Sequence, residues 1–203
     1  MRTIFPTVIH EIPVKNFGSI KKDLIDFVYN AREEDSHGVH YSNMGGWQSE
    51  PEYCRFDNIL LSTVSATLNS YFENDVLDMS KEITYDGLWM NINGKDNFNS
   101  AHNHPGCHLA GVFWIQSPKG CGNLELQSPH SFTMFQEMSR YTESFQKKSS
   151  AYPVYMFPPT EGTILLFPAS IMHKVESNKS DEDRISVAFN LTFKLNAGKD
   201  WGV

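Results

Sequence analysis

The stretch from Asn99 to Gln116, NSAHNHPGCHLAGVFWIQ, sets three histidines directly before an apolar run. Leu109 to Ile115 has the length and aromatic content of a buried strand. On an extended chain, residues i and i+2 point to the same face, so His102 and His104 can reach one metal ion. His108 also lies an even number of residues after His104, but Pro105 and Gly106 break the strand between them. That sets His108 aside as a neighbour of the site or a substrate-facing residue. A lone histidine is more often a satisfied polar residue; a pair at strand spacing, beside a buried strand, gives the metal reading its weight.

Outward from this stretch the pattern stays that of strands. Glu82 to Gly94, EITYDGLWMNING, alternates with period two: Leu88, Met90 and Ile92 on one face, Trp89, Asn91 and Asn93 on the other. NLELQS (123–128) follows the opening stretch after a turn, PKGCG, with two glycines. Then come AYPVYMF (151–157), GTILLFPAS (162–170) and RISVAFNLTFKL (184–195). Upstream, residues 1–14 read as a short edge strand with Pro6 and Pro13. Residues 16–31 place Ile20, Leu24, Phe27 and Val28 at helical spacing with Ser19 as N-cap, and 56–76 carry a second, wide apolar helical face. SNMGGWQSEPE (42–52) reads as a loop. The polar insert 130–150 reads as a helix or a flap. Helices first and short antiparallel strands after point to an α+β chain whose C-terminal part is a sandwich or barrel, in a single domain with helical support at about 16–76 and a β core at about 83–195.

Composition narrows the function. The 203 residues carry a formal net charge of −7, with 40% hydrophobic and 20% charged residues, which fits a globule of ordinary size. No Lys/Arg-rich block stands out, which argues against nucleic acid as a partner. No apolar run approaches the roughly 20 residues of a membrane span, and MRTIFPTVIHEIPV lacks the apolar core of a signal peptide. Cys54, Cys107 and Cys121 are too few and scattered for a disulfide framework, and fit a reducing cytoplasm. No cationic group is placed beside Cys107 or Cys121 to make it reactive.

Downstream, His173 sits among Ile171, Met172 and Val175, at or near the core. The plain alternative is a buried histidine bonded to a backbone carbonyl. Eleven residues on, Arg184 opens an apolar strand, with Ser186 on the same face. A buried positive charge without an anion is costly, and a guanidinium fork beside a hydroxyl is a receptor for a carboxylate.

This ordered set resembles the iron(II)- and 2-oxoglutarate-dependent oxygenases, whose signature is His-x-Asp/Glu, a distant His, and Arg-x-Ser on a double-stranded β-helix (jelly-roll or cupin-like) core. It is most similar to a prolyl-hydroxylase-like branch found in phages and marine bacteria. The matching pieces are Trp89-Met-Asn91, His102-Asn-His104-Pro-Gly106, Ala110-Gly111-Val-Phe-Trp114, Pro129, Phe167-Pro168, His173-Lys-Val175 and Arg184-Ile-Ser186-Val-Ala-Phe189-Asn190, with SNMGGWQS upstream. The resemblance implies Fe(II) held by His102, His104 and His173. It implies 2-oxoglutarate held by Arg184 and Ser186, with Asn91 and Asn93 alongside, and release of succinate and CO2 as a small-molecule or peptidyl C–H bond is hydroxylated. It further implies a cytoplasmic enzyme, in an infected host if of phage origin, and leaves a homodimer open. The substrate lid is expected in 42–51 and 130–150. One position departs from the signature: His104 stands where the family usually has a carboxylate. Two competing readings stay open. A cupin-type dioxygenase with three histidine ligands and no 2-oxoglutarate explains His104 but not Arg184. A non-catalytic jelly-roll binding module would use the histidines for the fold or for structural zinc.

Overall fold

The computed structural model describes residues 6–51, 58–74, 76, 82–130, 140–150 and 152–194. Cys54, residues 56–57 and 75 of the expected second helix, and 131–139 of the insert lie outside the described residues. Among the described residues eleven strands appear in chain order: β1 (His10–Pro13), β2 (Asn43–Met44), β3 (Trp47–Gln48), β4 (Glu82–Asn93), β5 (Phe98–His102), β6 (Leu109–Gln116), β7 (Leu124–Gln127), β8 (Val154–Phe157), β9 (Thr163–Pro168), β10 (His173–Val175) and β11 (Arg184–Lys194). Among the described residues the helices are α1 (Phe17–Glu34), α2 (Ile59–Phe72) and α3 (Glu143–Ser149).

The strands form two antiparallel sheets, β1-β9-β6-β11-β4-β3 and β2-β5-β10-β7-β8. From β4 onward the chain crosses repeatedly from one sheet to the other, the winding of the expected double-stranded β-helix. The turn at 118–122 therefore does not close a hairpin. It carries the chain from β6 in the larger sheet to β7 in the smaller one. Gly120 and Gly122 take positive φ there, and a Cβ on Gly122 would meet Glu176 O at 2.5 Å, so position 122 has no room for a side chain.

Period-two alternation sorts the larger sheet into two faces. Leu88, Met90, Ile92, Phe113, Ile115, Ile164, Leu166, Ile185, Val187 and Phe189 pack against α1 and α2. Leu24 and Val28 of α1 and Leu60 and Val64 of α2 are fully buried there, each contributing about 1.5–3 kcal/mol of transfer free energy. The opposite face turns Ala110, Val112, Trp114, Leu165 and Phe167 toward Leu124 and Leu126 of the smaller sheet. The polar residues of the larger sheet, Asn91, Arg184, Ser186 and Asn190, share this second face by parity. The helices thus cover one side of the sheet, and the space between the sheets is left for chemistry.

Three local expectations change. α1 starts at Phe17, with Asn16 as a left-handed N-cap that makes no side-chain cap bond; Ser19 instead donates its hydroxyl to Asn16 O at 2.8 Å. α2 ends at Phe72, short of the expected 76, with residues 73, 74 and 76 in turn; Asn58 caps its start, its side chain accepting from Leu60 N and Leu61 N at 3.0 and 2.9 Å. The segment 42–51 is not a free loop. Asn43–Met44 joins the smaller sheet and Trp47–Gln48 the larger one, with Gly45 and Gly46 at positive φ forming the corner between them. It closes one side of the sandwich, and Trp47 and Gln48 are buried. No helix among the described residues is long and apolar enough to cross a membrane.

Candidate metal centre

β5 and β10 are neighbours in the smaller sheet, and their register sets His102 opposite His173. His104 lies two residues beyond β5, where its backbone N–H donates to Ala169 O at 2.9 Å. That bond turns the loop so that the third imidazole points back at the other two. Ring centroids are 4.2 Å apart for His102 and His173, 5.0 Å for His102 and His104, and 5.1 Å for His104 and His173. One ligand atom from each of the three lies within 4.8 Å of the others.

The ring nitrogens are sorted by their partners. His102 Nδ1 lies 2.7 Å from Ser100 O, and His173 Nδ1 lies 2.8 Å from Ile171 O. A carbonyl only accepts, so each Nδ1 carries the proton and each Nε2 keeps a free lone pair. The plain reading of His173, a buried ring bonded to a carbonyl, is therefore true and compatible with ligation: metal-binding histidines commonly fix their second nitrogen this way. His104 Nε2 and His173 Nε2 are 3.3 Å apart. Two nitrogens at about 2.1 Å from one ion would stand about 3.0–3.4 Å apart, so this pair already has the spacing of shared ligation.

Burial, and then the neighbouring imidazoles, push His173 down to about 3 and His104 to about 4; burial lowers His102 as well. All three are neutral at pH 7, the form that binds metal. The folded values lie below the unfolded value of about 6.5. Below that pH the unfolded chain takes up protons that the folded chain refuses, so the folded state loses no stability through these rings above about pH 6.5 and loses it progressively as pH falls toward about 3. Thermal melts of metal-free protein should drop across this window, and His104→Gln should flatten the drop. Equal slopes for the two proteins would contradict the assignment.

A pocket between the sheets runs from the histidines to Arg184, with Ser186, Asn91, Trp114 and Val175 among its walls. Arg184 is 1% exposed. One of its terminal nitrogens, Nη1, donates to Cys121 O and to Glu176 O; Nη2 is buried without a partner among the described residues. Burial lowers the guanidinium to about 10, still charged at neutral pH. Asn91 stands beside Ser186 across β4 and β11, with its Oδ1 buried and without a partner among the described residues. Asn93 is the register partner of Arg184 and lies outside the pocket walls. Its Nδ2 is buried without a partner among the described residues, at the place where a Cβ on Gly46 would approach it to 3.2 Å.

His108 sits apart from the cluster. It is exposed, its Nδ1 accepts from Phe193 N at 3.1 Å, and its ring lies against Phe193. Gly106, at φ 90°, lets the chain turn away between the two histidines. Ser42 and Asn99, which sequence reasoning passed over, line the pocket from the smaller sheet, and Trp89 reaches it from the larger, its ring 5.8 Å from that of His104. Asn99 is three residues before His102, the wrong parity for a shared face. A register shift against β10 between His173 and Val175 takes up the extra residue. Ser42 belongs to the segment read as a lid, and no sequence signal marks it.

Residues 87–190 match the model of the family described as "Putative 2OG-Fe(II) oxygenase". The chain belongs to this family. Its members are 2-oxoglutarate-dependent oxygenases, with iron and 2-oxoglutarate as cofactors. No curated protein sequence matches the chain. Among solved structures, the non-haem α-ketoglutarate-dependent epimerase SnoN from nogalamycin biosynthesis aligns with a TM-score of 0.64 at 11% identity, over 92% of this chain and 78% of that one. A Pseudomonas putida prolyl-4-hydroxylase aligns at 0.60 and 10% identity, over 92% of each chain. The viral collagen prolyl hydroxylase vCPH from Paramecium Bursaria Chlorella virus-1, solved as a 2-oxoglutarate complex, aligns at 0.56 and 11% identity, over 90% of this chain and 94% of that one. At such identities the likeness carries the double-stranded β-helix fold alone.

The residues present fit both cofactors of the family. Three neutral imidazoles with converging lone pairs suit a divalent ion. An orphaned guanidinium nitrogen at the other end of the pocket suits a carboxylate.

Proposed function

We propose that this chain is an Fe(II)- and 2-oxoglutarate-dependent hydroxylase of a small-molecule or peptidyl C–H substrate, releasing succinate and CO2. One observation carries the reading: Arg184 is buried, has no carboxylate partner among the described residues, and leaves Nη2 unpaired in the pocket that ends at the histidine cluster. A buried guanidinium in that state calls for an anion.

In this reading His102, His104 and His173 hold the iron, and Arg184 with Ser186 takes the far carboxylate of 2-oxoglutarate. Asn91 offers its side-chain amide to the same molecule beside Ser186, and Asn93 supports the Arg184 end. Cys121 O and Glu176 O fix the guanidinium plane, so Nη2 is aimed before the acid arrives. Trp114, Leu124, Val112 and Val175 wall the pocket with apolar surface, which excludes water and strengthens each charged contact. Trp89 and Phe167 flank the histidines and hold the rings in place. Bound iron supplies the activation of dioxygen that couples decarboxylation of 2-oxoglutarate to oxidation of the substrate.

A cupin-type dioxygenase with the same three histidines gives Arg184 no task. The two readings part in one assay: purified protein with Fe(II), 2-oxoglutarate and ascorbate should release succinate even without substrate. No succinate, with iron bound, would turn the reading to the cupin type.

A further inference from the structure

The histidine cluster offers a metal ion three imidazole nitrogens and, among the described residues, no carboxylate or thiolate. The acids of the surrounding strands are committed elsewhere. Glu176 accepts from Asn123 at 2.8 Å, Asp183 from Tyr29 at 2.9 Å, and Asp86 from Thr192; Glu125 pairs with Lys174 at 3.1 Å. An ion held here keeps its whole double positive charge, because every protein donor is neutral.

Donor chemistry then decides which ion is favoured. Mn(II) and Mg(II) draw their affinity from carboxylate and carbonyl oxygen. Fe(II), Co(II), Ni(II) and Zn(II) accept imidazole readily. His102 and His173 are locked in the sheet by their carbonyl bonds, whereas His104 stands on the loop after β5 and completes the set from outside it. An acidic residue at 104 would be the smallest change to add both an oxygen donor and a negative charge.

We infer that His104 sets the metal preference of this centre, making it an all-nitrogen site that discriminates against oxygen-seeking divalent ions. The inference rests on the proposed ligation by His102, His104 and His173. Any site binds Ni(II) more tightly than Mn(II), so the informative quantity is the change in the Kd ratio on substitution.

The test uses the full chain stripped of metal, titrated with MnCl2 or NiCl2 by calorimetry, with Mn(II) followed in parallel by electron paramagnetic resonance. Wild type is compared with His104→Asp and His104→Glu, after circular dichroism has shown that the variants fold. At least one acidic variant should narrow the Mn/Ni ratio of Kd values by about tenfold or more, each tenfold being about 1.4 kcal/mol. If neither folds, His104→Ala is titrated with acetate or with imidazole added, and acetate should narrow the ratio relative to imidazole by the same factor. A smaller change in the folded acidic variants, or in the rescued alanine variant when those do not fold, overturns the inference. Failure of wild type to bind either ion, or unchanged binding in His173→Ala, overturns instead the ligation on which it rests.

Discussion

Arg184→Ala is expected to abolish 2-oxoglutarate-dependent succinate release at ordinary co-substrate concentrations. The guanidinium is the one buried cation facing the pocket among the described residues, and its unpaired Nη2 is the donor that the far carboxylate would engage. Removing one member of a buried charge pair costs about 2–5 kcal/mol. The Kd for 2-oxoglutarate should therefore rise about 30-fold to several thousand-fold. The same change takes the donor from Cys121 O and Glu176 O, and two unsatisfied carbonyls cost about 1–3 kcal/mol each. The variant should therefore also melt earlier. Arg184→Lys separates the two losses. Lysine keeps the charge but cannot hold two backbone carbonyls and aim a fork at a carboxylate. It should retain measurable turnover with a raised KM for 2-oxoglutarate and a smaller change in kcat. A KM for 2-oxoglutarate within threefold of wild type in a folded Arg184→Ala protein would remove the acid from the pocket.

What could be read from the sequence followed from alternation. The faces of β4 and β11 are plain in LWMNIN and RISVAF, because Leu88, Met90, Ile92, Ile185, Val187 and Phe189 face the helices and Trp89, Asn91, Arg184, Ser186 and Ala188 the space between the sheets. Arg184 and Ser186 fall on one face of their strand, and Asn91 and Asn93 on one face of theirs, by alternation alone; the pairing of β4 with β11 then brings the two faces together. His102 and His104 were legible by the same rule, although His104 lies outside the strand and its orientation depends on the bond to Ala169 O. Arg184 was legible as an anomaly, a charge opening an apolar strand.

Features that depend on pairing between distant segments were not legible. The path from β6 to β7 reads locally as a hairpin, since a glycine turn between two strands does not record which sheet each joins. Asn99 was hidden by the register shift that reverses its parity against His102. The corner at Gly45 and Gly46 reads as a loop because its strands are two residues long and stable only against β4 and β5. A lid reading of 42–51 therefore fails for a physical reason: its backbone is tied into both sheets. The insert 130–150 contributes α3, which buries none of its side chains, so its apolar residues carried no periodic signal of a core face.

His173→Ala should remove most of the stabilisation that metal gives the protein. His173 is the most buried of the three histidines, faces His102 in the sheet, and shares the 3.3 Å Nε2 spacing with His104. Substituting a residue that only orients a ligand weakens metal sites about 10- to 100-fold, and loss of a direct ligand should reach at least the upper end of that range. With free metal at a hundred times the wild-type Kd, binding stabilises the folded state by about 2.7 kcal/mol; a hundredfold weaker site leaves about 0.4 kcal/mol. The substitution also leaves Ile171 O without its partner, so the metal-free variant should melt earlier than metal-free wild type. The informative quantity is the increment on adding Ni(II) or Co(II), measured within each protein. His108→Ala is the companion, since that ring lies against Phe193 outside the cluster, and its increment should equal that of wild type. An increment that survives in His173→Ala, or disappears in His108→Ala, would move the metal away from the centre assigned here.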